Sequence, residues 1–179
     1  IHGGPCTKVR GRVRKMKGTF SGGTAASFGE TMKRAMREPE VLGWLKDPFS
    51  LVPGFTGPSQ PKGNKPIEEE DLGSWAAPFI MASINTKNIH RSNALLGHAY
   101  GQDFVYDEMM VAGSGAEGEA AAKFIAGHNP LTGDGVPQPG EGPDKASREA
   151  GNYDVLFIGE LADGQVLDYS VSGDMDPGY

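Results

Sequence analysis

The sequence predicts an α+β fold, a mixed and largely antiparallel sheet with helices on one face, and three observations carry that expectation. Strand-like and helix-like stretches segregate along the chain instead of alternating strictly. Residues 24–37 repeat apolar side chains at helical spacing, with Phe28, Met32, Ala35 and Met36 at i, i+4, i+7 and i+8. Two alternating runs, 153–161 and 165–172, flank Asp163 and Gly164, a pair that supplies the positive φ values of a two-residue type I′ hairpin turn.

Taken in order, 7–17 (TKVRGRVRKMK) alternates as a half-exposed strand, Val9 and Val13 on one face and Arg10, Arg12 and Arg14 on a face expected to be solvated. Gly18 to Gly23 turns the chain into the first helix, which Pro39 ends or restarts. A short helix through Val41, Leu42, Trp44 and Leu45 follows and stops at Asp47 and Pro48. Residues 53–73 hold four prolines, four glycines and the acidic run Glu68, Glu69, Glu70, Asp71, so they read as loop, either a lid over a site or a surface excursion. Residues 79–96 read as helix ending near Gly97, and 103–112 as a strand with Phe104 and Tyr106 on one face and Val105 and Asp107 on the other. Ser114 and Glu117 have the spacing of a capping box, opening a helix with Ala120, Ala121, Phe124 and Ile125 inward and Gly127 as its stop. Residues 128–150 return to loop composition before the hairpin.

At 179 residues the chain has the size of one domain. Its 27 glycines and 13 prolines, against 8% Phe, Trp and Tyr, point to much loop around a small core. The net charge of −6 is unevenly spread, since residues 1–47 carry ten Lys or Arg against four Asp or Glu. No aromatic residues interleave the basic ones, so the excess reads as a solvated strand face and no nucleic-acid partner is expected. A lone Cys6 excludes an intramolecular disulfide framework and fits a reducing compartment, with the cytoplasm as the expected location. His2, His90, His98 and His128 show no i, i+4 pair, so no metal site is nominated, and no apolar run is long enough for a transmembrane helix.

Two places attract chemistry. FSGGTAAS places Ser21, Gly22, Gly23 and Thr24 between a strand and a helix N-terminus, but it lacks the lysine of a phosphate loop and the third glycine of a dinucleotide turn. It reads as a plain strand-to-helix turn or as a set of donors for a ligand. The segment around 84–96 sets Asn85, Thr86, Asn88, Arg91, Ser92 and Asn93 between the apolar residues Phe79, Ile80, Ile84, Ile89 and Leu95. On a helix Asn85, Asn88 and Ser92 approach one face, flanked by Arg91 as the anchor for an anionic substrate group or as a partner of Asp103. Tyr100 and Tyr106 are either donors to a carbonyl or core residues with wet tips, and Asp174 and Asp176 read as solvated turn residues.

The strings APFIMASINTKNIHRSNALL, YGQDFVY, GTFSGGTAASF, PGEGPDKASREAGNYDVLFIGE and DPGY, in this sequence's order, resemble the saccharopine dehydrogenase-like oxidoreductases, a group that includes trans-acting enoyl reductase-like proteins. The resemblance covers only the second half of such a protein. It implies that residues 1–179 form a substrate-binding and oligomerisation domain, similar to the C-terminal domain of glyceraldehyde-3-phosphate dehydrogenase-like folds, of a longer protein. The N-terminal Rossmann domain of such a protein is then expected to be absent from this chain. NAD(P) is then bound mainly by that missing half, with none expected here, and the chain alone is inert. The resemblance further implies a small-molecule or acyl substrate, a homodimer, and a Ser21–Thr24 turn that faces the interdomain cleft and donates to a carbonyl or carboxylate. Ser21, Gly22, Gly23, Thr24, Asn85, Arg91, Ser92 and Asn93 are the expected substrate-binding residues, and no catalytic residue is nominated. His90 departs from the arginine usual in that family. The rival reading is a non-catalytic interaction or scaffold domain.

Overall fold

The computed structural model describes residues 4–133 and 135–178, so His2 and Tyr179 of the sequence reading lie outside the described residues. The alternating basic run forms β1 (Cys6–Lys17) at the centre of a six-stranded sheet. Helix α1 (Gly22–Arg37) follows, and Pro39 restarts the chain as α2 (Pro39–Lys46), the second of its two expected roles, because a proline at the first helical position loses no hydrogen bond. The expected loop 53–73 contains β2 (Ile67–Glu69) and a 3-10 turn, and leads through Gly73 at φ 57° into β3 (Ser74–Pro78). Then come α3 (Ala82–Leu95), β4 (Val105–Gly113), α4 (Gly115–Gly127), the short α5 (Lys145–Glu149), β5 (Asn152–Leu161) and β6 (Val166–Asp174).

The strand order is β2-β3-β4-β1-β5-β6. Only β1 and β4 run parallel, in register from Lys8 with Val105 to Val13 with Met110, and the other neighbours pair antiparallel. The expected mixed, largely antiparallel α+β fold is therefore what forms. The hairpin is also present, but its turn is not type I′. Glu160 pairs with Val166, the Leu161 N–H donates to the Gln165 carbonyl at 2.9 Å, and Gly164 alone has positive φ, 84°. This is a three-residue loop in which glycine takes the left-handed position.

The most consequential departure is on β1. The Arg face is solvated only at Arg14: Arg12 is 1% exposed, with its guanidinium between Glu69 of β2 and Asp107 of β4. Nε and Nη2 donate to Glu69 at 2.7 and 2.6 Å, and Nη1 donates to Asp107 Oδ2 at 2.9 Å and to the Gly11 carbonyl at 2.8 Å. Arg10 adds bonds to Glu69, at 3.1 Å, and to Asp71. Desolvation works against every charge here, but the bonds outweigh it, holding the Arg12 pKa above and the Glu69 pKa below their ordinary values.

The apolar core is small, as the composition suggests. Met109, Ala76 and Ala77 in the sheet are essentially sealed, and α4 packs on β3 and β4 through Gly118 and Ala122. Phe124, expected inward, is 71% exposed, because small residues let α4 approach closely: a Cβ on Gly118 would collide with the Gly113 carbonyl. Ser114 is the N-cap of α4, but its side chain makes no capping bond, so the capping-box spacing does not form one. Met36 on α1 is likewise exposed, at 80%, and Ala25 and Ala35 are the buried apolar residues of that helix. Asp176 is no solvated turn residue. It is 4% exposed and accepts from the backbone N–H of Thr19 and Gly178 at 2.9 and 2.8 Å, pinning the chain's last turn to the end of β1. Among the described residues no helix is long and apolar enough to cross a membrane.

Candidate functional site

Pro78 ends β3 beside Met109, leaving the first half of β4 without a strand neighbour on that side. Gln60 takes the vacant edge: its side-chain amide accepts from the Tyr106 N–H at 2.9 Å and donates to the Phe104 carbonyl at 3.2 Å. Between this loop, the end of α2 and the opening turns of α3 lies a cleft of about 710 Å³, within the range of small-molecule sites. Leu45, Pro48, Pro61, Pro78 and Phe79 supply apolar walls. Ser83, Thr86 and Lys87 enter from α3, Lys46 and Lys62 from the flanking segments, and Asp107 and Glu108 from β4.

The two acids are held from behind by residues that do not line the cleft. Asp107 is matched by Arg12. Glu108 accepts from the Tyr106 hydroxyl at 2.5 Å through Oε1 and from Asn85 Nδ2 at 2.8 Å through Oε2. Gly11 makes this possible, since a Cβ there would sit 2.9 Å from Glu108 Cγ and 3.1 Å from the Tyr106 oxygen. Burial first, and then the bond to Glu108, push the Tyr106 pKa upward, so the phenol remains a proton donor. Lys87 Nζ donates to the Leu45 carbonyl at 2.9 Å and the Ser83 carbonyl at 3.2 Å. Its pKa is lowered by burial, partly offset by the charge of Asp47.

Of the expected substrate-binding residues, Asn85 reaches the cleft, through Glu108. The others are engaged elsewhere. Asn93 is buried and ties the turn after α3, accepting from the Tyr100 N–H at 2.9 Å and donating to the Gly101 carbonyl at 2.8 Å. Arg91 donates to the Leu51 carbonyl at 3.0 Å, not to Asp103, and Ser92 lies exposed on the helix. Ser21 caps α1, its hydroxyl accepting from the Thr24 N–H at 3.2 Å and contacting the Thr24 hydroxyl. Gly22 donates to the Glu141 carbonyl at 2.9 Å, and a Cβ on it would collide with Gln138, while Gly23 is exposed. Neither Ser21–Thr24 nor Arg91–Asn93 lines this cleft.

Among the lining residues that the sequence reading did not nominate are Lys87, Asp107 and Glu108. A signal for the first existed, since Ser83, Thr86 and Lys87 stand at i, i+3 and i+4 and share a helix face. The acids had none, because their significance depends on Arg12 and Asn85 from distant parts of the chain.

No protein-family model and no solved structure matches the chain. Curated proteins do match. The chain is 36% identical, over 98% of its own length and 48% of the relative's, to the Mycobacterium tuberculosis protein named "Putative trans-acting enoyl reductase". It is 31% identical to the "Trans-acting enoyl reductase" of Mycobacterium ulcerans and 29% identical to that of Mycobacterium bovis, in both cases over 74% of this chain and 38% of the relative. The chain thus spans about half the length of the first of these relatives, and the similarity supports its kinship with the trans-acting enoyl reductase group.

Proposed function

We propose that this chain is the substrate-binding half of a nicotinamide-dependent reductase of the trans-acting enoyl reductase kind, acting on a carbon–carbon double bond conjugated to a carbonyl, with the 710 Å³ cleft as the substrate site. The observation that carries this reading is similarity along 98% of the chain to proteins bearing that name. The cleft supplies what such a substrate half needs: apolar walls that exclude water, and Ser83, Thr86 and Lys87 as donors toward a carbonyl oxygen.

The residues here do not fit the nicotinamide cofactor itself. Two glycine turns among the described residues join a strand to a helix N-terminus. Ser21–Gly23 is covered by the chain's own residues 137–141, with the Gly22 N–H already bonded. Gly113–Gly118, which has the G-x-G-x-x-G spacing, leads through α4 to no parallel neighbour of β4, because β5 pairs antiparallel with β1. Cofactor binding is therefore assigned to the half of the relatives that this chain does not span. The test is titration of NADPH and NADH, by fluorescence and calorimetry, into this chain and into a version extended to the relatives' full length. Binding by the extended protein alone supports the reading, and binding by this chain overturns the cofactor assignment.

A second reading, a self-associating interaction domain, is favoured by one observation. Strand β6 is an unpaired sheet edge with Val166, Tyr169 and Val171 exposed. Nicotinamide binding by neither protein, with a concentration-dependent dimer in sedimentation, would favour it. A homodimer formed through this half is compatible with both readings.

A further inference from the structure

The charges around the cleft are unevenly answered. Asp107 is paired with Arg12, while Glu108 receives only the neutral donors Tyr106 and Asn85. Against that single uncompensated carboxylate stand Lys46, Lys62 and Lys87, none of which forms a salt bridge among the described residues. Lys87 is the informative one. Its ammonium has three N–H donors, and two are spent on main-chain carbonyls, which fix its position without neutralising it. Asp47 acts on it only through space. A half-buried cation so held, over apolar walls, is left with a directed donor and an unmet electrostatic demand.

We infer that the cleft is an oxyanion-binding site anchored by Lys87 Nζ, with Lys46 and Lys62 as a cationic rim, and that its ligand carries a carboxylate or phosphate group on an apolar body. The apolar body follows from the Leu45, Pro48 and Phe79 side of the cleft, which an inorganic ion would leave uncovered. The inference deepens the proposed function, since it rests on the cleft being the substrate site, but it is tested on this chain without cofactor or turnover.

The probes are octanoate, octyl phosphate, octanol and inorganic phosphate, each titrated into the chain by calorimetry and followed by amide chemical shifts at Ser83, Thr86 and Lys87. Octanoate or octyl phosphate should bind at least about tenfold more tightly than octanol, and the stronger of the two identifies the anionic head. Lys87→Met, which keeps the stem and removes the charge, should lose about tenfold in anion affinity and leave octanol unchanged, and Lys87→Arg should restore most of it. Amide spectra of both variants confirm the fold. Octanol binding as tightly as both octanoate and octyl phosphate, binding of inorganic phosphate as tight as octyl phosphate, or anion binding unchanged in Lys87→Met would each overturn the inference. If anion binding holds while the extended protein reduces no enoyl substrate, the functional reading fails and the site stands.

Discussion

Replacing Arg12 by methionine probes the tie that joins three of the six strands. Arg12 is 1% exposed and is the buried cation that both Glu69 and Asp107, each 6% exposed, turn toward. Methionine fills much of the same volume but leaves Asp107 with no cation and Glu69 with only the partly exposed Arg10. Removing one partner of such a group costs about 3–5 kcal/mol, because the remaining carboxylates stay buried and unanswered. For a domain of this size that corresponds to a melting temperature lower by about 6–20 °C. Urea denaturation followed by circular dichroism reads the loss as a shift of the midpoint at unchanged slope. The triple variant Arg12→Met, Glu69→Leu, Asp107→Leu should recover most of the loss, since a well-packed apolar set replaces an ion cluster at little net cost. Acid should act in the same direction. The folded-state pKa of Glu69 lies below its ordinary 4.5, so its contribution is complete above that value and disappears as the pH falls through the folded pKa. A single-variant loss below about 1 kcal/mol, the range of exposed pairs, would refute this account of Arg12.

Other consequences follow from the same geometry. His90 is 3% exposed between Phe49 and Phe104, and burial lowers its pKa from 6.5 to about 4. A depressed value means that stability is complete above pH 6.5 and falls as the pH drops toward 4, by up to about 3 kcal/mol. His90→Leu should flatten that part of the stability profile, as measured by urea midpoints across the range. Gly22→Ala should push residues 137–141 off the start of α1, costing about 1–3 kcal/mol and speeding amide exchange at Gly22, whereas Gly23→Ala, whose Cβ would meet only the Ser21 hydroxyl at an ordinary contact of 3.6 Å, should change stability by less than about 0.5 kcal/mol. Asp176→Ala should free the Thr19 and Gly178 N–H groups, lowering stability by about 1–3 kcal/mol and increasing proteolytic cleavage after residue 172.

The sequence is most legible where a local signal and its structural cause coincide. The β5–β6 hairpin is one such place, because alternation and a glycine suffice to form it. Its turn type is less legible, since the same Asp-Gly pair also suits a three-residue loop with only Gly164 left-handed. Strands β2 and β3 escaped because IEE and SWAAP are too short to alternate and sit in a Pro- and Gly-rich stretch. Arg12 was misread for a different reason. Its partners lie on two other strands, and one chain's alternation cannot distinguish a solvated face from one covered by distant carboxylates. The inward face of α4 was misjudged because large apolar residues were favoured over Gly118 and Ala122, although close packing on β3 and β4 needs the small ones. At the candidate site the α3 segment was found but its emphasis shifted. Asn93 stabilises a turn, Asn85 holds an acid, and Lys87 occupies the cleft.

The central claim is that the cleft beside α3 receives the substrate. It is tested most directly by filling the cleft in the protein extended to its relatives' length and following NADPH oxidation with a 2-enoyl thioester. Ala82 lines the cleft at the start of α3, where a tryptophan would occupy part of its volume. The account predicts that Ala82→Trp lowers kcat/KM at least about tenfold while the Kd for NADPH and the melting temperature stay within error. Undiminished turnover in that variant, with its fold intact, would contradict it.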